Sequence, residues 1–356
     1  MIKLKGKPIS TGDMPKFNWY ADLIDFDGPL LSLFKGERNT DALYMWVDND
    51  TRRNRWCIIP VDRVTLNGYL QKKTSLKEVV LSAQKVIFFN MFEGVNGLTK
   101  RSCIEVARDD FPADYFPDED AYLSDMIATP EAIRLRNEIT ENYMLGIDNE
   151  LYTDDLSTIP YIFQQLYSFH YALEHLAVES VKNRVVSLLS SWTGGASAVN
   201  IFTGLRSLIP TIHRPQVNAI KYNSPGYIEL NLLPKIAKSV EFSMDRSLVN
   251  FRFYRMESFY NGTYKYLKEN NISGFDYEGV DLKTIINDDT EKHLARRVSI
   301  FMKLLGWSQY QSTFDQLGAH PLQQLRTILA YYRRFKKLRY YVEHDNLSIG
   351  TSKIKD

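Results

Sequence analysis

The sequence predicts an α+β chain: a small β-rich N-terminal domain followed by a larger, mainly helical one. Three observations predict it. Runs of β-branched and aromatic residues, bounded by Asp, Asn and Gly, fill the first hundred positions, which is the pattern of strands and hairpins. The composition turns sharply acidic at Asp109. Beyond Thr129-Pro130, apolar residues recur in steps of three and four, the period of a helix with one buried face. At 356 residues the chain is long enough for two domains.

The N-terminal domain, residues 1–108, reads as about five strands and one helix, near the size of an average sheet. Leu30–Phe34 is an apolar run and Gly36–Asp41 is turn-like. Leu43–Val47 is a strand, Asp48-Asn49-Asp50 a turn, and Arg55–Val61 the returning strand. Pro60 belongs at a strand edge or end, because it donates nothing to a ladder. A helix is expected between Asp62 and Ala83, with Ser75 and Glu78 spaced as a capping box. Lys85–Phe92 and Leu98–Ala107 form a second hairpin, turned at Gly94–Gly97.

Residues 105 to 155 carry fifteen Asp or Glu against three Arg and no Lys. Their centre, DDFPADYFPDED, combines six acids with two prolines, so 109–128 is expected to be a solvated acidic linker. The helical domain then spans 129–342. Ile162, Phe163, Leu166, Phe169, Leu173, Leu176, Ala177 and Val181 mark one buried helix face, with Pro160 in the first turn. Trp192-Thr193-Gly194-Gly195 ends that helix, and Ser197–Leu208 forms a shorter one that stops before Pro210. Gln216–Lys221 and Tyr227–Leu230 make a short strand pair around Ser224-Pro225-Gly226. Helices resume from Leu233 to about Leu267 and again between Leu282 and Val342. Residues 343–356 read as a flexible tail. No internal repeat is visible.

Composition removes several classes. Nineteen Phe, 22 Tyr and 5 Trp give too much apolar surface for a disordered chain. No apolar run is long enough to span a bilayer, and the opening MIKLKGKPIS has no apolar core of a secretory signal. Two cysteines, Cys57 and Cys103, build neither a disulfide framework nor a zinc quartet. A cytoplasmic protein with no membrane association is expected.

Two groups of segments carry a resemblance. The first is Asp27-Gly28-Pro29-Leu30-Leu31-Ser32-Leu33 with Tyr44-Met45-Trp46-Val47-Asp48 and Arg55-Trp56-Cys57-Ile58-Ile59-Pro60-Val61. The second is Ser191-Trp192-Thr193-Gly194-Gly195, His213-Arg214-Pro215, and Tyr222-Asn223-Ser224-Pro225-Gly226-Tyr227-Ile228-Glu229-Leu230. Both resemble segments of an uncharacterised bacterial protein family, some members being encoded near phage-defence and mobile-element genes. The resemblance implies a bacterial, cytoplasmic accessory protein. It implies no catalytic residue.

Signatures of chemistry are sparse. His170 and Glu174 lie four apart and face each other on a helix, but His170 and His175 fall about 140° apart around it and share no metal. Asp276, Asp281 and Lys283 have the residue types of a metal-dependent nuclease in a loop-like stretch, where a solvated loop is the competing reading. Thr193-Gly194-Gly195 offers backbone N–H groups to an anion, or simply a helix kink. No P-loop, dinucleotide fingerprint or nucleophile elbow occurs. Cys57 and Cys103 sit in apolar strands and are expected to be inert. No cofactor and no metal are predicted.

Two local features stand out. Ser224-Pro225-Gly226, with His213 and Arg214 upstream, makes a tight turn. Its residues His213, Arg214, Ser224 and Gly226 are candidates for a ligand-facing turn. The second feature is charge. From Lys292 to Arg339 there are ten Lys or Arg against one acid, Asp315. Arg326, Arg333 and Lys337 fall within about 40° on one helix face. Arg334, Lys336, Arg339 and Tyr340 broaden that face, and Leu325, Ile328, Leu329, Tyr332 and Phe335 lie on the opposite, core-facing side. Such a stripe suits a phosphate backbone and stacked bases, an acidic partner such as the 105–155 segment, or plain solvent. Three functions follow as expectations. The first is a non-enzymatic interaction or regulatory protein of a bacterial antiviral-defence or toxin–antitoxin-like system, binding a protein partner or itself. The second is a nucleic-acid-binding protein using Arg326, Arg333, Arg334, Lys336, Lys337 and Tyr340. The third is an enzyme of unrecognised type, such as a metal-dependent nuclease.

Overall fold

The computed structural model describes residues 1–36, 40–51, 53–92, 100–148, 151–190, 199–272, 282 and 286–350. It is α+β, and the chain divides into two compact units. Residues 1–139 with 210–213 form the first; 140–209 and 214–356 form the second. The expected boundaries at 108 and 128 do not coincide with this division.

The first unit is built on one antiparallel sheet of seven strands, β1 (Lys7–Ile9), β2 (Phe17–Asp25), β3 (Pro29–Gly36), β4 (Asp41–Asp50), β5 (Arg53–Val61), β6 (Lys85–Phe92) and β7 (Lys100–Ala107). The order is β1-β7-β6-β5-β4-β3-β2, a meander with β1 added beside β7. The two strands beyond the expected five, β1 and β2, are the two edges. β1 is three residues long and contains Pro8. The register of β2 on β3 shifts three times, and each shift breaks the period-two pattern that sequence reading relies on. Trp46 and Trp56 are direct partners in the β4–β5 hairpin. Pro60 pairs with Ala42, while the β5–β6 ladder ends at Ile58, so its missing N–H interrupts no bond on that side.

Between β5 and β6 lie two short helices where one was expected, α1 (Arg63–Leu70) and α2 (Leu76–Ser82). Asp62 accepts from the Thr65 amide at 2.8 Å to start the first. Lys72, at a φ of 60°, lies in the turn that follows. The Ser75–Glu78 capping box starts the second. One face of the sheet buries Ala42, Ile58, Ile87, Phe89 and Cys103.

The acidic run is not a linker. All six of its acids are exposed, but Phe111, Tyr115 and Leu123 are buried. Phe111 and Tyr115 pack on Phe88 with ring centroids 5.5 and 5.8 Å away. Buried Arg55 donates to Asn90 and to the Tyr115 hydroxyl, both at 2.8 Å, and Tyr115 donates to Asp48 at 2.6 Å. The aromatic residues hold the segment down and the carboxylates keep their water. Thr129 then caps α3 (Pro130–Asn137) by accepting from Ala132.

The second unit contains β8 (Glu141–Ile147), α4 (Thr153–Glu174), α5 (Glu179–Ser190), α6 (Val199–Arg206), β9 (Gln216–Lys221), β10 (Gly226–Leu232), α7 (Pro234–Leu248), α8 (Asn250–Glu269), α9 (Asp288–Leu305), α10 (Gln311–Asp315), α11 (Pro321–Glu343) and β11 (Leu347–Ile349). The expected strand pair, β9 and β10, is one side of a four-stranded sheet, β11-β8-β10-β9, with β9 at its edge. Part of the tail expected to be flexible is thus the strand β11, paired with β8. α4 begins at Thr153, so Pro160 lies inside it. The polar start TDDLST hides that first turn and a half from a search for apolar period. Phe163, Leu166, Phe169 and Leu173 of α4 are buried as their spacing predicts, but the single helix expected to run on to Trp192 breaks after Glu174: Ala177 is exposed between the two helices and buried Val181 belongs to α5. On α11, Leu325, Ile328, Leu329, Tyr332 and Phe335 are all buried. The expected turns at Gly94–Gly97 and Trp192–Gly195, and Asp276, Asp281 and Lys283, lie outside the described residues. Among the described residues, no helix is long and apolar enough to cross a membrane.

Candidate functional site

The basic stripe of α11 does not form a continuous solvent-facing surface. Arg326 is only 2% exposed and donates to the Ile272 carbonyl. Arg333 donates to the Tyr264 hydroxyl. Arg334 lies 4.0 Å over the Phe202 ring and donates to Gln165 at 2.6 Å; burial lowers its pKa to about 10. Lys336 pairs with Glu257 at 2.8 Å, over the Tyr260 ring. Arg339 stacks 3.5 Å from the Phe253 ring centroid and pairs with Glu343. Lys337 and Tyr340 are exposed. The stripe is therefore not a solvated face: three of its six cations, Arg333, Lys336 and Arg339, hold α8 against α11. The signal was in the sequence. Phe253, Glu257, Tyr260 and Tyr264 follow one another at steps of four, three and four, so they line one face of α8. Cation–π contacts of this kind contribute about 0.5–2 kcal/mol each.

The four turn candidates fall in both units. His213 is fully buried in the first unit, with Nδ1 3.6 Å from Glu138. Arg214 belongs to the second unit and donates to the Ile209 carbonyl at 3.0 and 3.3 Å. Ser224 is exposed and donates to Asp148. Gly226 is buried; a Cβ there would meet the Lys221 carbonyl at 2.4 Å, so close packing of the hairpin accounts for the glycine.

Around His213 the structure assembles a buried polar cluster that sequence reading missed. Asp41, fully buried, accepts from the Thr211 amide at 2.9 Å. Arg134 pairs with Glu138 at 2.8 Å and donates to the Tyr20 hydroxyl at 3.2 Å. The Lys35 ammonium lies 5.2 Å from the centroid of the Tyr20 ring. These groups come from β2, β3, β4, α3 and residues 210–213, so no local pattern announces them. The second unit has its own network. His170 is fully buried, shares a 2.9 Å hydrogen bond with the Tyr331 hydroxyl, and is held neutral by burial with a pKa lowered to about 3. Glu174 turns instead to Lys235 at 2.6 Å and to the Tyr310 hydroxyl. His175 stacks on Tyr171. A base as weak as His170, with no solvent contact, is poorly matched to proton transfer near neutral pH. Among the described residues no group of His, Cys, Asp and Glu is arranged to hold a metal. Cys57 is buried, and that burial raises its thiol pKa.

The exposed surface is more informative than these interiors. α7 ends at Leu248 and α8 begins at Asn250, with Val249 as the corner between them. Leu248 and Val249 are exposed, Phe251 is 67% and Tyr254 71% exposed, and Arg252 and Arg255 are exposed beside them. Phe251, Tyr254 and Arg255 share one face of α8 by their spacing. The Arg255 guanidinium lies 5.6 Å from the Phe251 ring centroid. Six residues before Leu248 on α7, Phe242 is exposed as well; with Arg246 it lies over Gly306, where a Cβ would meet Phe242 at 2.7 Å. Aromatic and arginine side chains in an apolar patch are the composition of protein docking surfaces. The chain matches no family model, no curated protein and no solved structure.

Proposed function

We propose that this chain is a non-enzymatic interaction protein that docks a protein partner through the α7–α8 corner. The observation that carries the reading is the exposure of Phe251 and Tyr254, each more than two-thirds open, next to Leu248 and Val249. Soluble chains seldom leave large apolar side chains together in water without a binding role. The engagement of Arg333, Lys336 and Arg339 by α8 favours this corner over α11 as the working surface. A regulatory role in a bacterial defence or toxin–antitoxin-like system is part of the proposal and is supported by the sequence resemblance alone. A cytoplasmic setting is proposed with it, in keeping with two buried cysteines, Cys57 and Cys103, that form no disulfide.

The test is a photo-crosslinking amino acid at Tyr254 in bacterial cells, with exposed Lys182 as the control position. A discrete protein adduct is expected from position 254, none from 182, and loss of the adduct when Phe251→Asp is added. Absence of any adduct at 254 would overturn the reading.

A further inference from the structure

We infer that the occupant of the α7–α8 corner is an acidic, apolar-anchored protein segment, a statement that rests on the docking reading above and adds the chemistry of the partner. Residues 246 to 256 contain three arginines and no acid. Arg246 is already used: its guanidinium donates to the carbonyls of Leu304 at 2.9 Å and Lys303 at 3.4 Å, closing the end of α9. The nearest acid after the patch, Glu257, is taken by the Tyr332 hydroxyl and Lys336. Among the described residues neither Arg252 nor Arg255 is in an ion pair. Two guanidinium groups without carboxylates thus stand among four exposed apolar side chains.

A guanidinium lying over a ring keeps its edge N–H donors available, and their planar fork matches a carboxylate with two parallel hydrogen bonds. Arg252 and Arg255 are three residues apart, a rise of about 4.5 Å along the helix. Carboxylates three or four apart on a facing helix meet that spacing, with an apolar residue between them to reach Phe251 and Tyr254. Each side of such a contact supplies what the other lacks, and the charge pairing sets orientation and encounter rate. Nucleic acid fits less well. Leu248 and Val249 give bases nothing to stack on, and two cations neutralise few phosphates.

The experiment uses the full chain and fluorescence anisotropy with three labelled probes. One is a helical peptide with two Glu three residues apart flanking Leu and Phe; the second has both Glu replaced by Gln; the third is oligothymidylate. The Glu peptide is expected to bind at least about tenfold more tightly than the Gln peptide, and the preference should shrink as salt rises. A double variant, Arg252→Gln with Arg255→Gln, should bind both peptides alike while keeping its thermal transition, because both side chains are exposed. Equal binding of the two peptides by the unaltered chain, tighter binding of oligothymidylate, or no binding at all overturns the acidic occupant. A Tyr254 adduct in cells combined with any of those results would retain the docking surface and discard only its acidic partner; loss of the adduct discards both.

Discussion

At the scale of single residues, burial separates side chains that the helix spacing had grouped together. Arg326 and Lys337 share a face of α11 by angle, yet one is enclosed and the other is in water. Arg326→Glu places a carboxylate against the Ile272 carbonyl in a buried site, and a loss of about 3–5 kcal/mol is expected. Lys337→Glu should stay within about 0.5 kcal/mol. Midpoints of urea unfolding at unchanged slope measure both. His170 sets a pH dependence. Its pKa falls from 6.5 in the unfolded chain to about 3 in the fold, so between those values the unfolded state binds the proton and the folded state does not. Stability therefore rises with pH across that window and is lost as pH falls below about 6.5, by about 2 kcal/mol at pH 5 from this group. His170→Phe loses the Tyr331 hydrogen bond and is less stable at pH 7.5, but its stability should change less from pH 6.5 to 5. An equal acid slope in both proteins would assign the sensitivity elsewhere.

At the scale of elements, hairpins behave as the local sequence says and the acidic segment does not. Trp46 meets Trp56 across the β4–β5 ladder, but the expected turn Asp48-Asn49-Asp50 is the end of β4, paired with Arg55, Asn54 and Arg53, so the chain reverses only beyond Asp50. Both rings are half-buried, with Trp56 against the Ile58–Phe89 side of the sheet. Trp56→Ala should cost about 2 kcal/mol, below the figure for a fully enclosed ring, measured as a shift in the thermal midpoint. In residues 109–123, charge density suggests a solvated linker, but three buried side chains outweigh it. Phe111, Tyr115 and Leu123 each bury enough area to contribute about 1.5–3 kcal/mol, whereas exposed carboxylates cost little to leave in water. Limited proteolysis should therefore spare this segment. Early cleavage between Asp109 and Leu123 would contradict the packing on Phe88.

At the scale of the whole molecule, the two units differ from the division that composition suggests. A fragment 1–108 lacks Phe111 and Tyr115, and with them the cover of Phe88 and the hydroxyl that Arg55 and Asp48 share. It should be insoluble or unfold without cooperativity. A fragment 1–139 keeps that cover and α3 and should show a cooperative transition, followed by circular dichroism. It still lacks Thr211, whose amide reaches Asp41, so Asp41→Asn should destabilise it less than it destabilises the full chain. The candidate docking corner lies wholly within the second unit and is untouched by this surgery.

The α+β class, the β4–β5 hairpin, the Ser75–Glu78 cap and the apolar faces of α4 and α11 were legible from the sequence alone. Each rests on interactions within a few residues: periodicity, turn chemistry, a side chain reaching its own backbone. The tertiary structure alone decided the rest. Whether Arg333 faces a partner or the protein depended on Tyr264 of α8, 69 residues away, and for Arg326 on the Ile272 carbonyl, 54 residues away. The cluster around Asp41 and His213 joins five separate stretches of chain, and the edge strands β1 and β2 became recognisable only when their ladders formed. Charge and aromaticity mark a side chain as able to bind; burial by distant segments determines which of them remains available to do so.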